Sequence, residues 1–101
     1  SEIFRVCSTP FVRQLPELVE DLAFWPGERV YVQGDVGDFM YFVQAGRVRL
    51  EVLGRERHEV VEGGATLGDM ACLKQVPCYT ETAVAETHIW VRAMHAKLMQ
   101  R

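Results

Sequence analysis

The stretch that decides the fold is PGERVYVQGDVGDFMYFVQAGRVRL, residues 26–50. Apolar side chains alternate with polar ones, and turn residues recur about every 8 to 12 positions, which is typical of an antiparallel all-β domain. In residues 47–53, for example, Val48, Leu50 and Val52 are separated by single charged residues, as in a strand with one buried face. The same rhythm continues along the chain and predicts strands at residues 29–33, 39–44, 47–53, 58–61, 81–85 and 88–92.

Helical patterns lie on both sides of this region. Apolar residues three and four apart predict that residues 1–22 are helical, with helix starts at Ser8-Thr9-Pro10 and near Pro16. A short helix is predicted at residues 69–74, and the helical period returns in residues 93–101. We therefore expect a single, mainly β domain over residues 1–101, an antiparallel, jelly-roll-like β-roll at residues 23–92 with N-terminal helices. The C-terminal helix would be truncated at residue 101.

Composition excludes several classes of function. The chain has 101 residues, 49% hydrophobic and 25% charged, with a formal net charge of −3. Its eleven Lys and Arg residues are scattered rather than clustered. The charge distribution therefore argues against binding to nucleic acid and against direct contact with an anionic membrane.

Cysteines and histidines show no pattern of a metal or catalytic site. Cys7, Cys72 and Cys78 are odd in number and lack C-x-x-C spacing, which favours free thiols in the reducing cytosol. The three histidines are too far apart for a paired metal-binding motif. We expect no metal, no cofactor and no enzymatic activity. Trp25 and Trp90 are predicted to anchor the core.

Several short motifs occur together in one order and spacing. They are WPGE (25–28), GD (34–35), DFMYFV (38–43) and Gly46, followed by GG (63–64), LGDMACL (67–73) and Pro77. In this combination the chain resembles the cyclic-nucleotide-binding domain family over nearly its whole length. The resemblance implies a β-roll that binds cAMP or cGMP and repositions its C-terminal helix in response.

The resemblance also implies a ligand site. Residues 67–82 match the phosphate-binding cassette, in which backbone N–H groups at Met70 and Ala71 face the cyclic phosphate and Asp69 accepts the ribose 2′-hydroxyl. Val61 and Leu67 would form an apolar wall for the base. The implied cassette residues are Gly68, Asp69, Met70, Ala71, Cys78, Tyr79, Thr80 and Thr82.

One essential group of the family's cassette is missing. Counting forward from Gly68 places the family's phosphate-binding arginine at Cys78, and counting backward from residues 85–87 places it at Tyr79. A further slip reaches Thr80 or Glu81, which are not basic either. Charge-assisted hydrogen bonds contribute about 1.5 to 3 kcal/mol each. Without the arginine, the affinity for a cyclic nucleotide would therefore weaken by roughly two to three orders of magnitude. Tyr79 either fills the space of the arginine or lies on a strand, and Arg92 or Arg101 could supply a substitute charge.

The opening segment indicates a branch of the family. IFRVCSTPFVRQLPEL, residues 3–18, is similar to the lead-in of channel-type domains, some of which, such as the ether-à-go-go-like potassium channels, also lack the arginine. The resemblance thus implies a cytosolic gating module of a cation channel, in contact with adjoining channel segments. The whole channel, the parent protein of this domain, can be homo-oligomeric. The alternative is a non-ligand-binding interaction module of the same fold in a kinase regulatory subunit, an exchanger or an exchange factor.

Overall fold

Two four-stranded antiparallel sheets make up most of the computed structural model, which describes residues 18–99. A short helix, α1 (Asp69–Cys72), lies between the sixth and seventh strands, and a 3-10 helix (Ala96–Met99) follows the last strand. The strands are β1 (Val19–Phe24), β2 (Arg29–Tyr31), β3 (Phe39–Ala45), β4 (Arg47–Glu51), β5 (Glu59–Glu62), β6 (Thr66–Leu67), β7 (Thr82–Ala85) and β8 (Ile89–His95).

Each sheet is assembled from segments that are distant in sequence. The first has the strand order β1-β8-β3-β6, and the second has the order β2-β7-β4-β5. In the first sheet β8 is central and pairs with β1 from Val19↔Met94 to Phe24↔Ile89. In the second sheet β7 lies between β2 and β4. This architecture confirms the predicted β-roll.

The hydrophobic core lies between the inner faces of the two sheets. Along β8 the side chains of Ile89, Val91 and Ala93 are buried, whereas Trp90 between them is 57% exposed. Val48 of β4 is fully buried as well and pairs across the second sheet with Ala85. Burying an aliphatic side chain of this size contributes about 1.5 to 3 kcal/mol, so the alternation seen in the sequence is what holds the sheets together.

The structure corrects two predicted boundaries. Residues 19–22 belong to β1 and are not helical, because their backbone pairs with β8 from Val19↔Met94 to Leu22↔Val91. Residues 93–95 likewise belong to β8, so the C-terminal helical segment begins at Ala96 as a 3-10 turn. The helices predicted for residues 1–17, and the end of the C-terminal helix at residues 100–101, lie outside the described residues.

The six predicted strands are confirmed as β2, β3, β4, β5, β7 and β8, whereas β1 and β6 were not predicted. The expectation that Trp25 and Trp90 anchor the core is wrong, since Trp25 is 68% exposed and Trp90 points outward from β8. Trp25 packs against the His88 ring, with a centroid distance of 4.5 Å. No helix within residues 18–99 is long and apolar enough to cross a bilayer.

Candidate functional site

The cassette begins with a left-handed glycine that turns the chain into α1. Gly68 has φ 71° and ψ 11°, and no side chain caps the helix there. The first N–H groups of a helix have no acceptor within it, so those of Asp69, Met70 and Ala71 face outward at this end. The amide N–H of Cys72 donates to the Gly68 carbonyl at 3.0 Å, which closes the single turn. The backbone here therefore has the form that the resemblance implies, and phosphate binding at these N–H groups stays a prediction.

The one basic residue of the cassette is directed elsewhere. Lys74 follows α1 with φ 63°, a left-handed conformation that is uncommon for a residue with a side chain. Its Nζ lies 3.7 Å from a carboxylate oxygen of Asp38, and both side chains are more than half exposed. Such an exposed pair contributes little to stability. Lys74 therefore does not supply the charge that a phosphate would need.

A small cleft lies beside α1, and we call it the cassette cleft. Its volume is about 50 Å³, whereas small-molecule sites usually measure about 300 to 1,000 Å³. Two carboxylates, Asp69 and Glu81, line it, and no basic side chain of the described residues does. The lining residues are Gly68, Asp69, Met70, Ala71, Val76, Tyr79, Thr80 and Glu81.

Tyr79 takes up the interior side of the cassette. It is 5% exposed and lies before β7 rather than on a strand. Its ring stacks on Tyr31 at a centroid distance of 4.1 Å, and Tyr31 stacks in turn on Tyr41 at 5.7 Å. The ring lies so close to Gly68 that a Cβ added there would be 2.7 Å from it. Of the two interpretations left open for Tyr79, the position on a strand is wrong, and filling of the arginine's space stays a prediction.

The hydroxyl groups of this stack are fixed by hydrogen bonds. Tyr79 Oη donates to the carbonyl of Phe39 at 2.7 Å, and Tyr31 Oη donates to Glu81 Oε2 at 2.6 Å. Burial raises the pKa of both tyrosines far above the usual value, and for Tyr31 the neighbouring Glu81 raises the pKa further. Both hydroxyls therefore remain protonated donors at physiological pH, Tyr31 to Glu81 and Tyr79 to the Phe39 carbonyl.

The remaining predicted site residues lie elsewhere. Cys78 is half-buried and does not line the cassette cleft. Thr82, the first residue of β7, accepts the N–H of Gln33 at 2.9 Å and lines a different groove. Val61 packs against the core and Leu67 lies within it, so neither lines the cleft. Their part in ligand binding stays a prediction.

A larger groove adjoins the cassette cleft. Its volume is about 570 Å³, and it shares Thr80 and Glu81 with the cleft. Arg55 and Arg57, from the loop between β4 and β5, line it together with apolar Leu50. The sequence analysis did not identify these arginines, because they precede the cassette by ten residues or more and match no cassette motif.

Of the two arginines considered as substitutes, Arg92 does not line the cleft. Arg92 binds Asp21 through a 2.8 Å bond from Nε, and both residues lie on the paired strands β8 and β1. Arg101 lies outside the described residues. Within residues 18–99, no group of His, Cys, Asp and Glu side chains is arranged to hold a metal ion.

The fold combines two antiparallel sheets with a short helix that begins after a glycine. This combination is that of the β-roll domains with a phosphate-binding cassette. A family model described as cyclic nucleotide-binding domain matches residues 22–101. The chain belongs to this family, as its motifs predicted.

One relative is a much longer protein than this chain. Over 79 residues the chain is 29% identical to potassium channel KOR1 of Oryza sativa subsp. japonica, a match that covers 74% of this chain and 9% of the channel. The chain therefore spans a small part of that relative.

Solved structures show the same fold. The regulatory subunit of a cAMP-independent protein kinase A from Trypanosoma brucei superposes with a TM-score of 0.72 at 20% identity, over 95% of this chain and 35% of that one. A triple mutant of that subunit, bound to cAMP in the A site, gives a TM-score of 0.71 at 20% identity, over 94% of this chain and 36% of that one.

Proposed function

We propose that this domain is a regulatory, non-enzymatic module whose cassette binds cAMP and cGMP weakly or not at all. The observation that carries the proposal is the cassette cleft itself. It measures about 50 Å³, is lined by Asp69 and Glu81, and is closed on its inner side by Tyr79. A pocket of this size and charge does not suit a nucleotide with a negatively charged phosphate.

Electrostatic repulsion supports the same proposal. A phosphate about 5 Å from the Glu81 carboxylate would be repelled by about 3 kcal/mol at an effective dielectric constant of about 20. That repulsion adds to the loss of the arginine contact and corresponds to roughly two further orders of magnitude in affinity. Backbone N–H groups of α1 could still orient a nucleotide, but they do not compensate for both the missing arginine contact and the repulsion by Glu81.

Two relatives support this proposal. One solved structure with the same fold is described as the regulatory subunit of a cAMP-independent kinase, and its cAMP-bound form is a mutant with an introduced arginine. The match to the rice potassium channel and the channel-like lead-in at residues 3–18 support the finer proposal of a cytosolic gating module. The alternative, a regulatory module of a kinase or another signalling protein, is favoured by the structural likeness to kinase subunits.

Calorimetric titration of cAMP and cGMP tests the binding proposal. We expect no measurable heat from the wild-type protein below about millimolar nucleotide. Thr80→Arg with Glu81→Gln should restore binding by roughly two orders of magnitude or more. Thr80 lines both the cleft, which would take only the phosphate, and the adjoining groove of about 570 Å³, which would take the rest of the nucleotide. Gln44→Arg with Glu20→Gln, at exposed positions of β3 and β1, makes the same change in charge away from the cleft and is the matched control. Micromolar binding by the wild type would overturn the proposal.

The gating proposal is tested in the parent protein. We expect the parent to carry a potassium current, and substitutions in α1 to shift its voltage dependence without added nucleotide. Whole-cell recording measures both. A parent that reaches the cell surface but carries no current, or one that co-purifies with a kinase catalytic chain, would favour the alternative.

A further inference from the structure

We infer that Tyr79 is a positioning residue that fastens the cassette to the loop between β2 and β3, and that this loop transmits the position of the cassette to the C-terminal 3-10 helix. The inference rests on the proposed function, in which the cassette works without a strongly bound ligand. It explains how a cassette that lacks its cation can still hold a defined position.

The backbone of Tyr79 is bound at both of its polar groups. Its N–H donates to the carbonyl of Asp35 at 3.0 Å, and its carbonyl accepts the N–H of Gly34 at 2.9 Å. The side chain then reaches the far end of the same loop, where Oη donates to the carbonyl of Phe39 at 2.7 Å. One residue of the cassette therefore holds both ends of the loop.

Close packing reinforces these bonds. A Cβ added to Gly37, in the middle of the loop, would lie 2.3 Å from the Cβ of Ala71 and 3.2 Å from the ring of Tyr79. Real Cβ atoms do not approach other atoms so closely, so loop and helix α1 touch without space between them. A displacement of α1 must therefore move the loop.

The loop is in turn bound to the C-terminal segment. The carbonyl of Asp38 accepts the N–H of Ala96, the first residue of the 3-10 helix, at 2.8 Å. The carboxylate of Asp38 is the partner of Lys74, which belongs to the cassette. Phe39 meets the His95 ring edge-on at a centroid distance of 4.8 Å. Asp38 and Phe39 thus contact the cassette on one side and the end of β8 on the other.

These contacts form a continuous connection from the cassette to the chain's C-terminal side. The connection is made by hydrogen bonds within the protein, so it exists without a nucleotide. In a ligand-free regulatory domain, the cassette and the C-terminal helical segment would then move as one unit.

Amide hydrogen exchange of the ligand-free protein, followed by NMR, tests the inference. Tyr79→Phe removes the bond to Phe39 but keeps the ring. We expect the Ala96 amide to exchange roughly three- to tenfold faster in this variant, relative to the Val91 amide in the core. Tyr31→Phe is the matched control, because it removes a hydroxyl from the same stack that bonds Glu81 instead. In the control the ratio of Ala96 to Val91 should not change.

Two results would overturn the inference. One is an unchanged ratio of Ala96 to Val91 exchange in Tyr79→Phe, and the other is an equal change in both variants. Urea denaturation of each variant measures any global loss of stability, so that its effect on both exchange rates can be subtracted. Gly37→Ala offers a second disruption of the same contact. These outcomes are independent of nucleotide affinity, so failure here is distinct from failure of the proposed function.

Discussion

Gly68→Ala is expected to be unusually destabilising because two costs coincide at this residue. The left-handed backbone, with φ +71°, costs an L-residue about 1 to 2 kcal/mol. The new Cβ would also lie 2.7 Å from the Tyr79 ring and 3.3 Å from the Phe39 carbonyl. Overpacking of a tight contact costs typically about 1 to 3 kcal/mol. We therefore expect the free energy of unfolding to fall by about 2 to 5 kcal/mol.

Gly54→Ala separates the two contributions. Gly54 has φ +84°, and an added Cβ meets no atom within 4 Å, so this variant carries the backbone cost alone. Urea denaturation of both variants gives the free energies of unfolding. A loss in Gly68→Ala no greater than in Gly54→Ala would refute the packing of Tyr79 against the cassette.

Two further predictions concern pH and thiol reactivity. The hydrogen bond from Arg92 lowers the pKa of Asp21, so this pair stabilises the protein above the ordinary carboxylate pKa, and its contribution is lost as the pH falls through the lowered value. Because the Asp21 side chain is 56% exposed, Asp21→Asn should cost less than about 0.5 kcal/mol at pH 7, and urea denaturation at acid pH should show no difference. Burial raises the pKa of the Cys72 thiol, so peptide mapping after brief alkylation should find Cys78 modified before Cys72, and faster labelling of Cys72 would contradict its burial.

The period of two in the sequence was sufficient to predict the β-roll and six of its strands. It failed at β1 because Val19 and Leu22 are three residues apart, a spacing that also suits a helix. It failed at β6 because two residues carry no period. The placement of Trp90 was predictable, since its neighbours Ile89 and Val91 on β8 are buried and must point the other way.

The site was predictable only where the residues that form it are close together in the sequence. Gly68 and the helix that follows it form one short segment, so their turn and their outward N–H groups could be inferred from residue types. The aromatic stack could not, because Tyr31 and its hydrogen-bond partner Glu81 are separated by 50 residues. Such a contact is determined by the strand order β2-β7-β4-β5, which short motifs do not encode.

Tyr79 and Glu81 together argue that the cassette has changed its role rather than merely lost affinity. Loss of an arginine alone would leave an open, polar cavity, whereas here the interior is closed by a stacked ring that bonds Phe39. The adjoining groove holds Arg55 and Arg57, but it meets the cassette cleft through Glu81. A phosphate positioned to reach both the arginines and α1 would lie against that carboxylate. Under the proposed function, contacts of the chain with itself would therefore take the place of those that a nucleotide makes.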